Sequence, residues 1–168
     1  VFNPETTAVI VISQSGETAD VVRLMNEWKR TGVLMIGIVN VPNTQIPKLT
    51  DAGIYCHIGR EDAVASTKAF IGQVVCGTLF ALWMAQQRGK ISVAHRGEYV
   101  DALLELPKLV HQVLDQEDKA KKLAQHIAAV SNVLFLGRKQ NAVVALEGAL
   151  KMKEITFDES GYGIHALG

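Results

Sequence analysis

The sequence predicts an α/β protein, a parallel β-sheet flanked by helices. Three observations predict it. Short apolar, β-branched runs recur at Thr7–Ile12 (TAVIVI), Val33–Val39 (VLMIGIV) and Asn132–Leu136 (NVLFL), as expected of strands covered on both faces. Segments with apolar residues at helical spacing lie between them, the alternation of a layered α/β domain. A strand, a glycine-containing turn and a helix occur twice, near Thr7 and near Asn132. That recurrence predicts one domain over 1–130 and the opening of a second over 131–168.

The elements follow in order. After the Thr7–Ile12 strand and the turn SQSGE, Val21, Val22, Leu24, Met25 and Trp28 mark an amphipathic helix ending near Gly32. Val33–Val39 is the second strand, NVPN at Asn40–Asn43 is a loop, and Gly53–Ile58 is the third strand. Ser66–Gln87 reads as a long helix. Its nearly all-apolar stretch Ala69–Ala85 falls short of the about 20 residues a membrane span needs, so a buried core helix is expected. Tyr99–Leu114 and Lys119–Val130 carry helical spacing, with Pro107 expected to kink or restart the first. Charge-rich patches such as DQEDKAKK suit solvated faces. Asn132–Leu136 is a further strand, Gly137 and Arg138 turn the chain, and Ala142–Ile155 is the last helix.

Composition bounds the function. The 168 residues are 48% hydrophobic and 20% charged, which is globular and not disordered. Lys plus Arg and Asp plus Glu number 17 each, so there is no basic surplus to neutralise a phosphate backbone, and nucleic-acid binding is not expected. The two cysteines, Cys56 and Cys76, give neither metal-ligand spacing nor a disulfide framework, which suits a reducing cytoplasm. No basic stretch leads into an apolar signal core near Val1. A first residue other than Met and a stop at Gly168 suggest a piece of a longer protein.

Three places carry chemistry. Ser13-Gln14-Ser15-Gly16-Glu17-Thr18 lies between a strand end and a helix start, where hydroxyls and backbone N–H groups converge on an anion such as a phosphate monoester. The alternative is an ordinary cap, with Ser15 capping and Glu17 and Asp20 complementing the helix dipole. Val64-Ala65-Ser66-Thr67-Lys68 opens the long helix on the same carboxyl edge of the sheet, where ligands of open α/β sheets bind. Ser66 and Thr67 there reach a sugar or merely cap the helix. Glu147, Lys151 and Glu154 share one helix face, either as a surface ion pair or with Glu154 as a partly buried general base. The five histidines are scattered without metal-ligand spacing.

SQSGETAD at 13–20, VASTKAF at 64–70, and LFLGR with ALEGALKMKEI over 134–155 together resemble the isomerase half of glutamine:fructose-6-phosphate aminotransferases. That half is built of two sugar isomerase (SIS) domains. The resemblance implies an SIS-type, flavodoxin-like parallel sheet, here incomplete, with the start of a second SIS domain. It implies phosphate binding by Ser13, Gln14, Ser15 and Thr18, and sugar contacts from Val64 and Ser66. Glu154 would move a proton between C1 and C2, with the active-site Lys151 one turn before it. In the family, ammonia from glutamine condenses with fructose 6-phosphate and the product isomerises to glucosamine 6-phosphate. The resemblance implies no metal or organic cofactor, a glutaminase domain elsewhere in the parent enzyme, and a homodimer; the charge balance and the short apolar run lead to the expectation of neither nucleic acid nor membrane as a partner.

The sequence also departs from the family. A C-G-T-S loop and a K-H-G-P segment are absent, and His165 stands outside the latter motif. Glu61-Asp62-Ala63 replaces the usual E-I-G. The isolated chain is therefore expected not to turn over. An incomplete sheet should expose an edge and apolar surface, and Asn132–Leu136 folding back beside Thr7–Ile12 would fill the gap. A non-catalytic phosphosugar-binding module and a purely structural helical segment are the competing readings.

Overall fold

The computed structural model describes residues 3–63, 65–156 and 163–167. It divides into two compact units, Val1–Asp62 with Ser66–Arg96, and Ala63–Ala65 with Gly97–Gly168.

The first unit is built on a three-stranded parallel sheet in the order β1 (Ala8–Ser13), β2 (Leu34–Val39), β3 (Ala52–Tyr55). In register, Ser13 lies beside Val39 and Val39 beside Tyr55, so the three carboxyl ends form one edge. Helices α1 (Ala19–Lys29) and α2 (Gln45–Leu49) cover one face. Val11, Met25, Val33, Met35, Val39 and Ile46 form the core there, and Val21, Val22, Trp28 and Leu49 pack against it. The short α2 went unread in the sequence because Pro47 lies in it. A first helical turn tolerates proline, whose missing N–H would have no partner there.

The opposite face carries Ile10, Ile12 and Leu34, which remain about half exposed. The expectation of strands covered on both faces therefore holds for one face of β1 only. The long helix α3 (Thr67–Gln87) lies along β2 on that side, leaving an apolar groove lined by Ile36, Ile54, Leu79, Phe80 and Trp83. It is long and apolar enough to cross a membrane by length and composition. The buried core helix expected here is half bare: Ala69 and Cys76 are buried, while Ile71, Val74, Leu79 and Trp83 are exposed. The physical reason is width. Three strands span about 10 Å, no wider than one helix with its side chains.

Helix α4 (Val93–Leu114) begins in the first unit and continues in the second. It runs through Pro107 without the expected restart. Pro107 is exposed, so solvent can meet the Leu103 carbonyl that loses its partner.

In the second unit α5 (Glu117–Ile127) is followed by β4 (Asn132–Leu136), α6 (Gln140–Ile155) and β5 (Gly163–Leu167). Strands β4 and β5 pair in parallel, Asn132 beside Gly163 and Leu136 beside Leu167. This corrects the idea that Asn132–Leu136 pairs with the first strand: the two lie in separate sheets. Helix α6 returns the chain to β5, which supplies the parallel partner. Ala145, Ala149 and Ile164 are buried between helix and strands. A side chain at Gly148 would come within 2.9 Å of the Phe135 ring, so glycine there lets helix and sheet approach.

Candidate functional site

The loop after β1 is held by its own hydroxyls. Ser13 is buried, and its Oγ accepts the Gly16 N–H at 3.0 Å and shares a hydrogen bond with Thr18 Oγ1 at 3.1 Å. Ser15 Oγ accepts the Glu17 N–H at 3.2 Å. Gly16 has φ +69°, a left-handed conformation costly for any residue with a Cβ. A Cβ there would also strike Thr44 Oγ1. The Gly16 carbonyl accepts the Ile46 N–H at 2.9 Å.

This geometry corrects the Ser15 and Glu17 parts of the capping alternative, while Asp20 does lie in the first turn of α1. The N-cap of α1 is Thr18, not Ser15, and its side chain makes no capping hydrogen bond. The first turn of α1 therefore keeps N–H groups without an acceptor from the cap side chain, the arrangement that suits an anion. Glu17 faces elsewhere: its Oε1 accepts the Gln45 N–H at 3.0 Å and its Oε2 the Gln45 side-chain amide at 2.6 Å. It serves the start of α2 rather than the dipole of α1. Ser13, Gln14, Ser15 and Thr18 are thus brought together, with Ser15 and Thr18 exposed and Gln14 half-buried.

The second loop follows β3 on the same edge. Ser66 has φ +47° and makes no side-chain cap to α3. The cap comes from Glu61, whose Oε2 accepts the Ala69 N–H at 3.0 Å. The expected Ser or Thr cap is therefore replaced by a carboxylate from five residues before Ser66. Val64 lies outside the described residues. Between the two loops opens a cavity of about 550 Å³ lined by Gln14, Asn40, His57, Arg60 and Glu61, within the size range of small-molecule sites.

In the second unit, Lys151 Nζ donates to Glu154 Oε2 at 2.7 Å and lies 3.3 Å from Glu147 Oε1. Side-chain exposures of 20% for Lys151, 25% for Glu147 and 31% for Glu154 exclude a fully solvated surface pair. Burial disfavours the Lys151 charge, but the hydrogen bonds to Glu154 and Glu147 outweigh it and hold the ammonium above its ordinary 10.5. The Ser13–Thr18 loop and Ser66 belong to the first unit, and Lys151 and Glu154 to the second.

Sequence reasoning missed several of these contacts. Asn40, Glu61 and Gln45 act on residues distant in the chain. Cys56 and Cys76, both free thiols, are neighbours. Burial, with the Cys76 thiol beside it, pushes Cys56 up to about 11. Among the described residues no His, Cys, Asp and Glu cluster could hold a metal ion.

Comparison with known proteins shows what the chain is similar to. The SIS domain model matches residues 4–83, which hold the Ser13–Thr18 loop, the cavity and Ser66. Over those residues the chain is similar to SIS domains. A glutamine--fructose-6-phosphate aminotransferase [isomerizing] of Corynebacterium glutamicum is 42% identical over 153 residues, 91% of this chain and 25% of that protein. The enzyme of the same name from Chlorobaculum tepidum is 45% identical over 161 residues, 95% of this chain and 25% of its own. The chain thus spans about a quarter of the length of the curated relatives it matches. Among solved structures, the C-terminal domain of glucosamine-fructose-6-phosphate aminotransferase from Francisella tularensis superposes with a TM-score of 0.88 at 30% identity, covering 96% of this chain and 47% of that one. A structure from Clostridium difficile 630, 19% identical with a TM-score of 0.85, shares the fold. The SIS-type parallel sheet flanked by helices inferred from the motifs is thereby established.

Proposed function

We propose that this chain is the phosphosugar-binding and proton-transfer segment of a glutamine:fructose-6-phosphate aminotransferase. The observation that carries the reading is the Ser13–Thr18 loop, prefolded by the Ser13 hydroxyl at an uncapped helix N-terminus. The phosphate of fructose 6-phosphate sits against Gln14, Ser15 and Thr18 and the first turn of α1. Four charge-assisted hydrogen bonds at about 1–2 kcal/mol net each give millimolar to micromolar affinity. The sugar extends toward Val64 and Ser66.

Glu154 then carries a proton between C1 and C2, and Lys151 holds that carboxylate in place by its charge-assisted hydrogen bond. No metal or organic cofactor takes part in this reading. The parent enzyme supplies ammonia through a glutaminase domain, works in the cytoplasm and acts as a homodimer through its isomerase domains.

The test is thermal. A ligand at 100 times its Kd stabilises a fold by about 2.7 kcal/mol, so millimolar fructose 6-phosphate should raise the melting temperature of the 168-residue chain and fail to do so in Ser15→Ala/Thr18→Ala. No shift in the wild-type chain would end the reading. In the full-length protein carrying this segment, Glu154→Gln should retain binding and lose isomerisation. A variant that isomerises normally would leave a phosphosugar-binding module in place of an enzyme.

A further inference from the structure

We propose that Asn40 and Glu61 are positioning residues that set the sugar-side loop independently of the phosphate loop, an inference that rests on the phosphosugar reading above. The last ladder bond between β2 and the chain after β3 runs from the Cys56 N–H to the Val39 carbonyl at 3.0 Å. Beyond it His57 and Gly59 adopt φ of +52° and +73°, conformations that a strand cannot contain. The ladder would end there.

Asn40 extends it with a side chain. It is 8% exposed, its Nδ2 donates to the Gly59 carbonyl at 2.7 Å, and its Oδ1 accepts the Ile58 N–H at 3.1 Å. A carboxamide presents the same donor and acceptor as a peptide group, so Asn40 stands in for the missing stretch of strand. Two residues after Gly59, Glu61 accepts the Ala69 N–H and caps α3. The segment leading to Ser66 is thus held at one point against β2 and at another against the start of α3.

The phosphate loop has a different set of anchors: Ser13 with Gly16 and Thr18, the Gly16 carbonyl with Ile46, and Glu17 with Gln45. The two sets share no residue. Gln14 of the first loop and Asn40 and Glu61 of the second set line the same cavity. Loosening the second set should therefore weaken the grip on the sugar and leave the grip on the phosphate.

Titration of the 168-residue chain with inorganic phosphate and, separately, with fructose 6-phosphate, followed by amide chemical shifts, tests this. Glu61→Ala should weaken fructose 6-phosphate about tenfold, the loss expected for one charge-assisted hydrogen bond, and leave the phosphate Kd within about twofold. Glu61→Gln, which keeps a carbonyl acceptor for the Ala69 N–H, should recover most of the loss. Should Glu61→Ala fail to fold, Asn40→Asp carries the same test, since it keeps the acceptor for Ile58 and loses the donor to Gly59. Equal weakening of both ligands, or no weakening of either, overturns the inference while the phosphosugar reading stands. A wild-type chain that binds neither overturns both.

Discussion

In the first unit the Ser13–Thr18 loop stands on a closed core, in which Met25, Met35, Val39 and Ile46 are almost wholly excluded from solvent. In the second unit Lys151 and Glu154 stand on a helix over a two-stranded sheet, where small side chains, Ala145 and Ala149, make the close contacts. The loop is ordered by packing below it and by neutral hydrogen bonds within it. The charged cluster is ordered by its own ion pairs. Packing tolerates changes of pH, and charge pairing tolerates changes of volume, so the two regions should fail under different perturbations.

The largest effect should come from the core. Met25→Ala should destabilise the first unit by about 2–5 kcal/mol through lost burial and the cavity left behind. Hydrogen exchange should then show faster opening of β1–β3 with β4–β5 amides unchanged. Equal loosening of both would show that the units share one cooperative transition.

Next is the dryness of that unit. With Cys56 pushed up to about 11 from an ordinary 9.0, its thiolate fraction near neutrality falls about 100-fold. Alkylation by iodoacetamide should be correspondingly slow, and a rate like that of a free thiol would contradict the packing described. A smaller effect, roughly tenfold in phosphate Kd, is expected for Gly16→Ala, because a left-handed backbone costs a Cβ-bearing residue about 1–2 kcal/mol and Thr44 blocks relaxation. Titration with inorganic phosphate measures it.

The smallest effect belongs to the second unit. The folded-state pKa of Lys151 lies above the unfolded 10.5. The stability this gives is fully present below the unfolded value and is lost as pH rises through the folded one. Denaturant midpoints of the second unit should therefore decline at alkaline pH, and Lys151→Met should remove that component of the decline.

Strands β1, β2 and β4 and helices α3 and α6 were legible because β-branched or helically spaced runs end at clear turn residues. Strand β5 was not, being five residues, GIHAL, that begin with Gly163 and have no period of their own. The Ser13–Thr18 loop was legible as a strand-to-helix turn because its hydroxyl residues lie close together in the chain. The role of Glu17 was misread since its partner, Gln45, lies 28 residues away. Asn40 and Glu61 act across 19 and 8 residues, distances at which only the folded sheet decides who meets whom. The half-bare face of α3 was equally hidden, because hydropathy reports what a helix needs covered and not what the chain provides.

The groove beside α3 has an optical consequence. The chain has two tryptophans. Trp28 packs against the first core, whereas Trp83 lines the groove and is 53% exposed. Their emission should divide into a blue component from Trp28 and a red one from Trp83. Anything that settles into the groove will move the second colour and leave the first where it is.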